Sequence, residues 1–241
     1  MLVIVGGHSR NIGKTSVVEG VIRALPEAGW AAVKITQYGH DACAADGNNC
    51  ECAAGLGAGP AQSDEAAHLD SSLAAPGSVV PESAKDHLFA LTEEHEPGTS
   101  DSGRYLGAGA RRAFWLRTAA GELGHAIPAL RTIVEDNKNV ILESNSAMQF
   151  FTPDLYIVVL DPAIADMKES TRRYFDRANA FVVIDRPQTP LPWPGVPQRW
   201  FTGKPRFLAS PPAYVDAEMS AWLRVRIGNC TEQTIVPTGR D

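Results

Sequence analysis

A chain of 241 residues, 44% of them hydrophobic, is long enough to bury a substantial core, and we expect one α/β domain over 1–241 that carries an insertion. The formal net charge of −6, with no Lys/Arg-rich run, excludes the basic stripe that a nucleic-acid surface needs, and no stretch approaches the roughly 18 apolar residues of a membrane span. No basic and apolar leader precedes the first apolar run and the four cysteines are unevenly clustered, so the expected location is a reducing cytoplasm.

Leu2-Val-Ile-Val5 is a short β-branched run suited to a parallel strand covered on both faces, and Thr15 to Leu25 has the spacing of an amphipathic helix. Between them lies Gly6-Gly-His-Ser-Arg10-Asn11-Ile12-Gly13-Lys14-Thr15-Ser16. A glycine turn that feeds a strand into a helix presents backbone N–H groups to an anion. It places Lys14 for the β- and γ-phosphates and the Thr15 hydroxyl for Mg²⁺. Arg10, Asn11, Ile12, Gly13, Lys14, Thr15 and Ser16 are therefore the expected nucleotide contacts, with Lys14 also stabilising charge on a transferred phosphoryl group. Five residues separate Gly7 from Gly13, and His8 stands where the common register has a glycine. This longer form, Gly-x5-Gly-Lys-Thr, resembles the loop of dethiobiotin synthetase and its amidoligase relatives, which share a broad class of P-loop proteins with the molybdopterin-guanine dinucleotide biosynthesis adaptor.

Glu27-Ala-Gly-Trp30 reads as a turn and Ala31 to Thr36 as the second parallel strand. Open α/β sheets bind ligands at the carboxyl ends of their strands, which brings Lys34, Thr36, Gln37 and His40 near the phosphates and makes Lys34 a further nucleotide contact. From Asp41 to Arg104 the texture turns to Ala, Gly, Ser, Asp and Pro, with a helix around 84–94. A connection of that size is a functional excursion or a lid. At its start His40, Cys43, Cys50 and Cys52 can converge on a soft metal centre, zinc or an iron–sulfur cluster, with His68 as a late ligand; the plain alternative is reduced cysteines in a flexible loop. Cys230 stands apart from them.

Asp101-Ser-Gly-Arg104-Tyr-Leu-Gly-Ala-Gly-Ala110 precedes a strand over Ala113 to Thr118. It resembles the Asp-Ser/Thr-x-Arg-x-x-x-Ala-Gly-Ala element of the adaptor family and marks Asp101, Ser102, Arg104, Ala108, Gly109 and Ala110. Small residues here permit close packing, and Arg104 is expected to pair with a phosphate. Ala119 to Asn137 reads as an amphipathic helix, kinked or divided at Pro128. Asn139 to Ser146 is a buried strand carrying Glu143, the expected second Mg²⁺ contact, with Asp41 and Asp161 as alternatives. Glu143 occupies the place of the Val-Glu-Gly glutamate of both families, with Ser144-Asn145-Ser146 where glycines follow it there.

Strands over Pro153 to Asp161 and Ala180 to Asp185, with a helix over 165–177 between them, complete the alternation of a doubly wound, mainly parallel sheet. Ile184-Asp185-Arg186-Pro187 lacks the Asn-Lys-x-Asp by which GTPases read guanine, so the nucleotide is ATP or GTP. The prolines of 187–197 form a rigid connector, and Ala213 to Val225 is the last helix. The expected fold is that of a P-loop NTPase with a Cys/His insertion at about 41–104. The resemblance implies Mg²⁺-dependent nucleoside triphosphate hydrolysis coupled to cofactor or metal-centre assembly. The partners it implies are the nucleotide, a cofactor-assembly protein and a second copy of the chain. Two other readings remain: a small-molecule kinase or ligase of the dethiobiotin synthetase type, its acceptor held by Lys34 and the 144–146 turn, and a non-catalytic module in which nucleotide switches a metal-binding excursion.

Overall fold

Strand β1, Leu2–Gly7, is buried along its whole length, as a strand covered on both faces must be. The computed structural model of the chain describes residues 1–38, 89–186, 193 and 196–232. Among these, β1 lies inside an eight-stranded sheet with β2 (Ala31–Tyr38), β3 (Phe89–Glu94), β4 (Arg112–Ala119), β5 (Val140–Glu143), β6 (Leu155–Leu160), β7 (Ala180–Ile184) and β8 (Arg206–Ala209), in the order β3-β4-β2-β5-β1-β6-β7-β8. All neighbours pair in parallel except β3, which runs antiparallel to β4 at the edge.

Helices α1 (Lys14–Ala24), α2 (Asp101–Gly107) and α5 (Ala217–Glu232) cover one face. There Val17, Val21 and Ile22 of α1, Tyr105 of α2 and Leu223 of α5 pack with Val3, Val5 and Ile157 of the strands. Helix α3 (Ile127–Asp136) covers the other face, through Ile127, Leu130 and Ile133 against Ile4, Val33 and Leu142, and Phe175, just past α4 (Glu169–Tyr174), joins the same cluster. This two-sided covering is the doubly wound α/β arrangement expected from the alternation of strands and helices.

The expected helix around 84–94 is corrected. Phe89–Glu94 is strand β3, held to β4 in the register Leu91↔Leu116 and Glu93↔Phe114, with Arg112 bound to both Glu93 carboxylate oxygens at 2.6 and 2.8 Å. Its acidic end is locally compatible with either structure; the unpaired edge of β4 decides it. Residues 101–107, to which the sequence assigned no secondary structure, form α2, which Ser100 caps by accepting from the Gly103 N–H at 3.0 Å. The helix expected over 119–137, kinked or divided at Pro128, is instead cut before the proline: Ala119 ends β4, a 3-10 turn spans Glu122–Ala126, and α3 begins at Ile127, with Pro128 in the first turn, where its missing N–H costs no helical bond. The helix expected over 165–177 is shortened to α4 and a 3-10 turn at Phe175–Arg177, because 164–168 is tied to the glycine loop. Strand β8 was not foreseen; its four residues are too few for a clear alternation. The last helix begins at Ala217, not Ala213, where the Asp216 carboxylate accepts from the Met219 N–H at 2.7 Å.

Candidate phosphate-binding site

The carboxyl ends of β1, β2 and β5 lie side by side, and three segments meet there: the glycine loop, Lys34 and Glu143. Gly13 caps α1 at φ 88°, and Asn11 reaches φ 51°, a left-handed conformation that Asn tolerates better than most residues. A Cβ on Gly13 would also stand 2.4 Å from the Tyr214 ring, which lies against the loop. The loop leaves a cavity of about 300 Å³ bounded by Asn11 to Ser16, Lys34, Asp101, Arg104, Glu143 and Tyr214.

Within it the charged groups are interlocked. Lys14 bends back so that Nζ donates to the Ser9 carbonyl at 3.0 Å; burial lowers its pKa, a tendency that nearby Glu143 opposes. Thr15 donates to Glu143 Oε2 at 2.9 Å, and the fully buried Tyr105 hydroxyl donates to the same oxygen. Lys34 Nζ lies 2.6 Å from Glu143 Oε1, 2.6 Å from Asp101 Oδ2 and 3.2 Å from Thr15 Oγ1. Burial works against the Lys34 charge, yet Glu143 and Asp101 prevail and raise its pKa. Asp101 is lowered in turn, burial being outweighed chiefly by Lys34. The Tyr105 phenol is pushed well above its ordinary value by burial and then by Glu143, so it stays a donor at any working pH.

A brace holds the loop from behind. Asn145 accepts from the Gly7 N–H at 2.8 Å and donates to the Gly7 carbonyl and to Thr171 Oγ1, each at 2.8 Å, while Thr171 donates to the same carbonyl at 2.7 Å. A Cβ on Gly6 would lie 2.2 Å from Asn145 Oδ1 and 2.7 Å from the Tyr156 hydroxyl, so only glycine fits beside this brace. His8 is fully buried. Its Nδ1 accepts from the Asp161 N–H at 3.4 Å, so Nε2–H donates to the Ile164 carbonyl at 3.1 Å. Burial lowers its pKa, and its ring meets Trp193 edge-on at 4.7 Å. The place of a loop glycine is thus taken by an anchor to the segment after β6. Lys168 donates its backbone N–H to the His8 carbonyl at 2.9 Å, and its ammonium is lowered to about 8, first by burial and then by Lys14 and Arg10.

Other expected site residues have different partners. Arg104, expected on a phosphate, lies at the cavity wall with its guanidinium on the Glu19 carboxylate, 3.3 Å from Ser16 Oγ and 3.6 Å from Asp101. Asp161 binds Arg186 at 2.7 and 3.1 Å rather than entering the cavity. His40, Cys43, Cys50, Cys52, Asp41 and His68 lie outside the described residues. No group of three or more His, Cys, Asp or Glu side chains placed to hold a metal occurs among the described residues.

The site's own donors fit Mg²⁺ all the same. One hydroxyl and two carboxylates, Thr15, Glu143 and Asp101, are hard oxygen ligands, and Mg²⁺ completes its shell with water and phosphate oxygens rather than an all-protein cage. Asp101 as a member of this set, Tyr105 behind Glu143 and Asn145 behind the loop escaped sequence reasoning. For the first two a signal existed: at i, i+3 and i+4, Asp101, Arg104 and Tyr105 share one face of α2.

A strand, a glycine loop carrying Lys-Thr and a helix N-terminus at the centre of a doubly wound sheet make this a P-loop NTPase fold. No family model matches the chain, and no curated protein does either. Among solved structures, the chain is similar to HypB from Helicobacter pylori, crystallised in complex with nickel, at 11% identity and a TM-score of 0.44 over 99% of this chain and 91% of that one. It is also similar to the "apo" form of LpxK from Aquifex aeolicus in complex with ATP, at 16% identity and a TM-score of 0.41, with 86% of this chain aligned to 53% of that one, about half its length.

Proposed function

We propose that this protein binds a nucleoside triphosphate with Mg²⁺ and hydrolyses it, in the service of cofactor or metal-centre assembly. The observation that carries the reading is the convergence of Thr15, Glu143 and Asp101 beside Lys14 at the mouth of a glycine loop. In this reading the backbone N–H groups of Arg10 to Ser16 cradle the phosphates, and Lys14 leaves the Ser9 carbonyl to pair with the β- and γ-phosphates. Thr15 and Glu143 would hold Mg²⁺, which when bound polarises the terminal phosphoryl group, and Tyr105 keeps the Glu143 carboxylate oriented. Asn145 keeps the loop in register throughout.

The link to an assembly step rests on the resemblance of the 101–110 element to the adaptor family. The kinase or ligase alternative receives less support, because the turn that would hold an acceptor is engaged internally: Ser144 Oγ accepts from the Ala147 N–H at 3.3 Å, Asn145 braces the loop, and Ser146 donates to Gln37 at 2.9 Å. Glu143→Gln tests the core of the reading. It keeps the side-chain shape and removes a metal-orienting charge, so Mg²⁺-dependent release of phosphate from ATP or GTP should fall by about 100-fold while nucleotide affinity changes only a few-fold. Unchanged turnover at limiting Mg²⁺ would move the ion to another carboxylate.

A further inference from the structure

Lys34 stands where a cation belongs. An ammonium has three N–H donors and no acceptor, and here it has three oxygen neighbours: Asp101 Oδ2 and Glu143 Oε1 at 2.6 Å and Thr15 Oγ1 at 3.2 Å. The arrangement is built into the fold, because Lys34 of β2 and Glu143 of β5 are register partners on adjacent parallel strands, and α2 delivers Asp101 from outside the sheet. The oxygens around it, from Thr15, Glu143 and Asp101, are also the hard-oxygen set that suits Mg²⁺, whose bonds to oxygen are only about 2.0–2.1 Å long. A divalent ion bonded to Glu143 Oε1 and Asp101 Oδ2 and an ammonium already 2.6 Å from both cannot share the space.

We infer that the Lys34 ammonium is an internal counter-ion that keeps the divalent-cation position closed in the nucleotide-free protein, so that metal enters only together with the polyanion that takes up the displaced ammonium. The inference rests on the Mg²⁺ reading above and adds to it a coupling between metal and nucleotide. A metal ion arriving alone would have to expel Lys34 from two carboxylates and leave its charge beside a dication. A triphosphate removes that obstacle, because Lys34 already lies on the wall of the cavity that the phosphates would fill, on a flexible four-carbon stem. The device prevents loading with free metal and makes the metal–nucleotide complex the species that the site accepts.

Nucleotide-free protein tests this, using Mn²⁺ as a paramagnetic probe followed by electron paramagnetic resonance. Wild type should take up no stoichiometric Mn²⁺ without nucleotide. Lys34→Met and Lys34→Gln should each gain one site, tighter than any wild-type binding by about tenfold or more, because two carboxylates lose their counter-ion. Both variants should melt below wild type without metal and recover on adding Mg²⁺, while the wild-type midpoint stays put. Adding Asp101→Asn to either variant should remove the new site. Stoichiometric Mn²⁺ on nucleotide-free wild type, or folded Lys34 variants that neither bind Mn²⁺ nor melt higher with Mg²⁺, would overturn the inference. Because no nucleotide is present, neither result depends on triphosphate binding, so failure here and failure of the NTPase reading are told apart.

Discussion

The position of Lys14 depends on what fills the cavity. Its ammonium is held by one carbonyl of its own loop and is discouraged by burial, so a polyanion offers it a far better partner. Lys14→Ala is therefore expected to weaken triphosphate binding by about 100-fold or more with the circular dichroism spectrum unchanged, and isothermal titration calorimetry would measure it. Lys168 gives a pH-dependent counterpart. With its ammonium at about 8, against 10.5 for an ordinary lysine, the unfolded chain binds the proton over a range where the folded chain does not. Stability therefore rises as pH climbs from about 8 towards 10.5, as far as this group is concerned. For a polyanion the sign is reversed: the charged form attracts phosphate, so triphosphate affinity should fall as pH is raised through 8, and Lys168→Met should flatten that part of the profile.

The unit of β1, loop and α1 owes its shape to contacts from the β5 and β6 sides as much as to its own glycines. Asn145 alone makes three hydrogen bonds, two to Gly7 and one to Thr171, in a partly buried setting. Asn145→Ala leaves the Gly7 N–H without its partner, which should cost about 1–3 kcal/mol in urea unfolding and also weaken nucleotide binding, because the loop loses its register. An effect on stability with unchanged affinity would mean that the loop holds itself. The His8 anchor belongs to the same unit: a buried neutral imidazole between Asp161 and Ile164 keeps the longer loop seated on the segment after β6.

At the scale of the whole molecule, the sheet shows how a long insertion can be carried. Parallel β2 ends at Tyr38 and antiparallel β3 begins at Phe89, and these two residues flank β4 on either side, opposite Ala119 and Thr118 respectively. The chain thus leaves and returns at the carboxyl edge of the parallel strands, across two strand spacings, about 10 Å. Replacing 39–88 with a linker of about six Gly and Ser residues, enough to cover that span, should leave the sheet and its cooperative melting intact. A deletion protein that fails to fold would show that the excursion contributes to the core. With the fold retained, the same protein would also show by elemental analysis whether a metal in the full chain depends on His40, Cys43, Cys50 and Cys52.

What the sequence by itself determined here is whatever local chemistry can determine. Leu2 to Val5 had to be a covered strand, Gly13-Lys14-Thr15 had to open a helix, and Glu143 had to end a buried strand, because periodicity, backbone conformation and burial act over a few residues. Phe89 to Glu94 lacked such a signal: the open edge of β4 made it a strand, and that edge exists only once the sheet has formed. Partners were likewise decided by tertiary structure. Asp101, Tyr105, Lys34 and Glu143 come from three elements, and which of them touch follows from strand order and from where α2 packs. Arg104 shows the same division: a lone arginine beside a phosphate loop suggests an anion, and only the packing of α2 on α1 reveals the Glu19 carboxylate as its partner at the cavity wall.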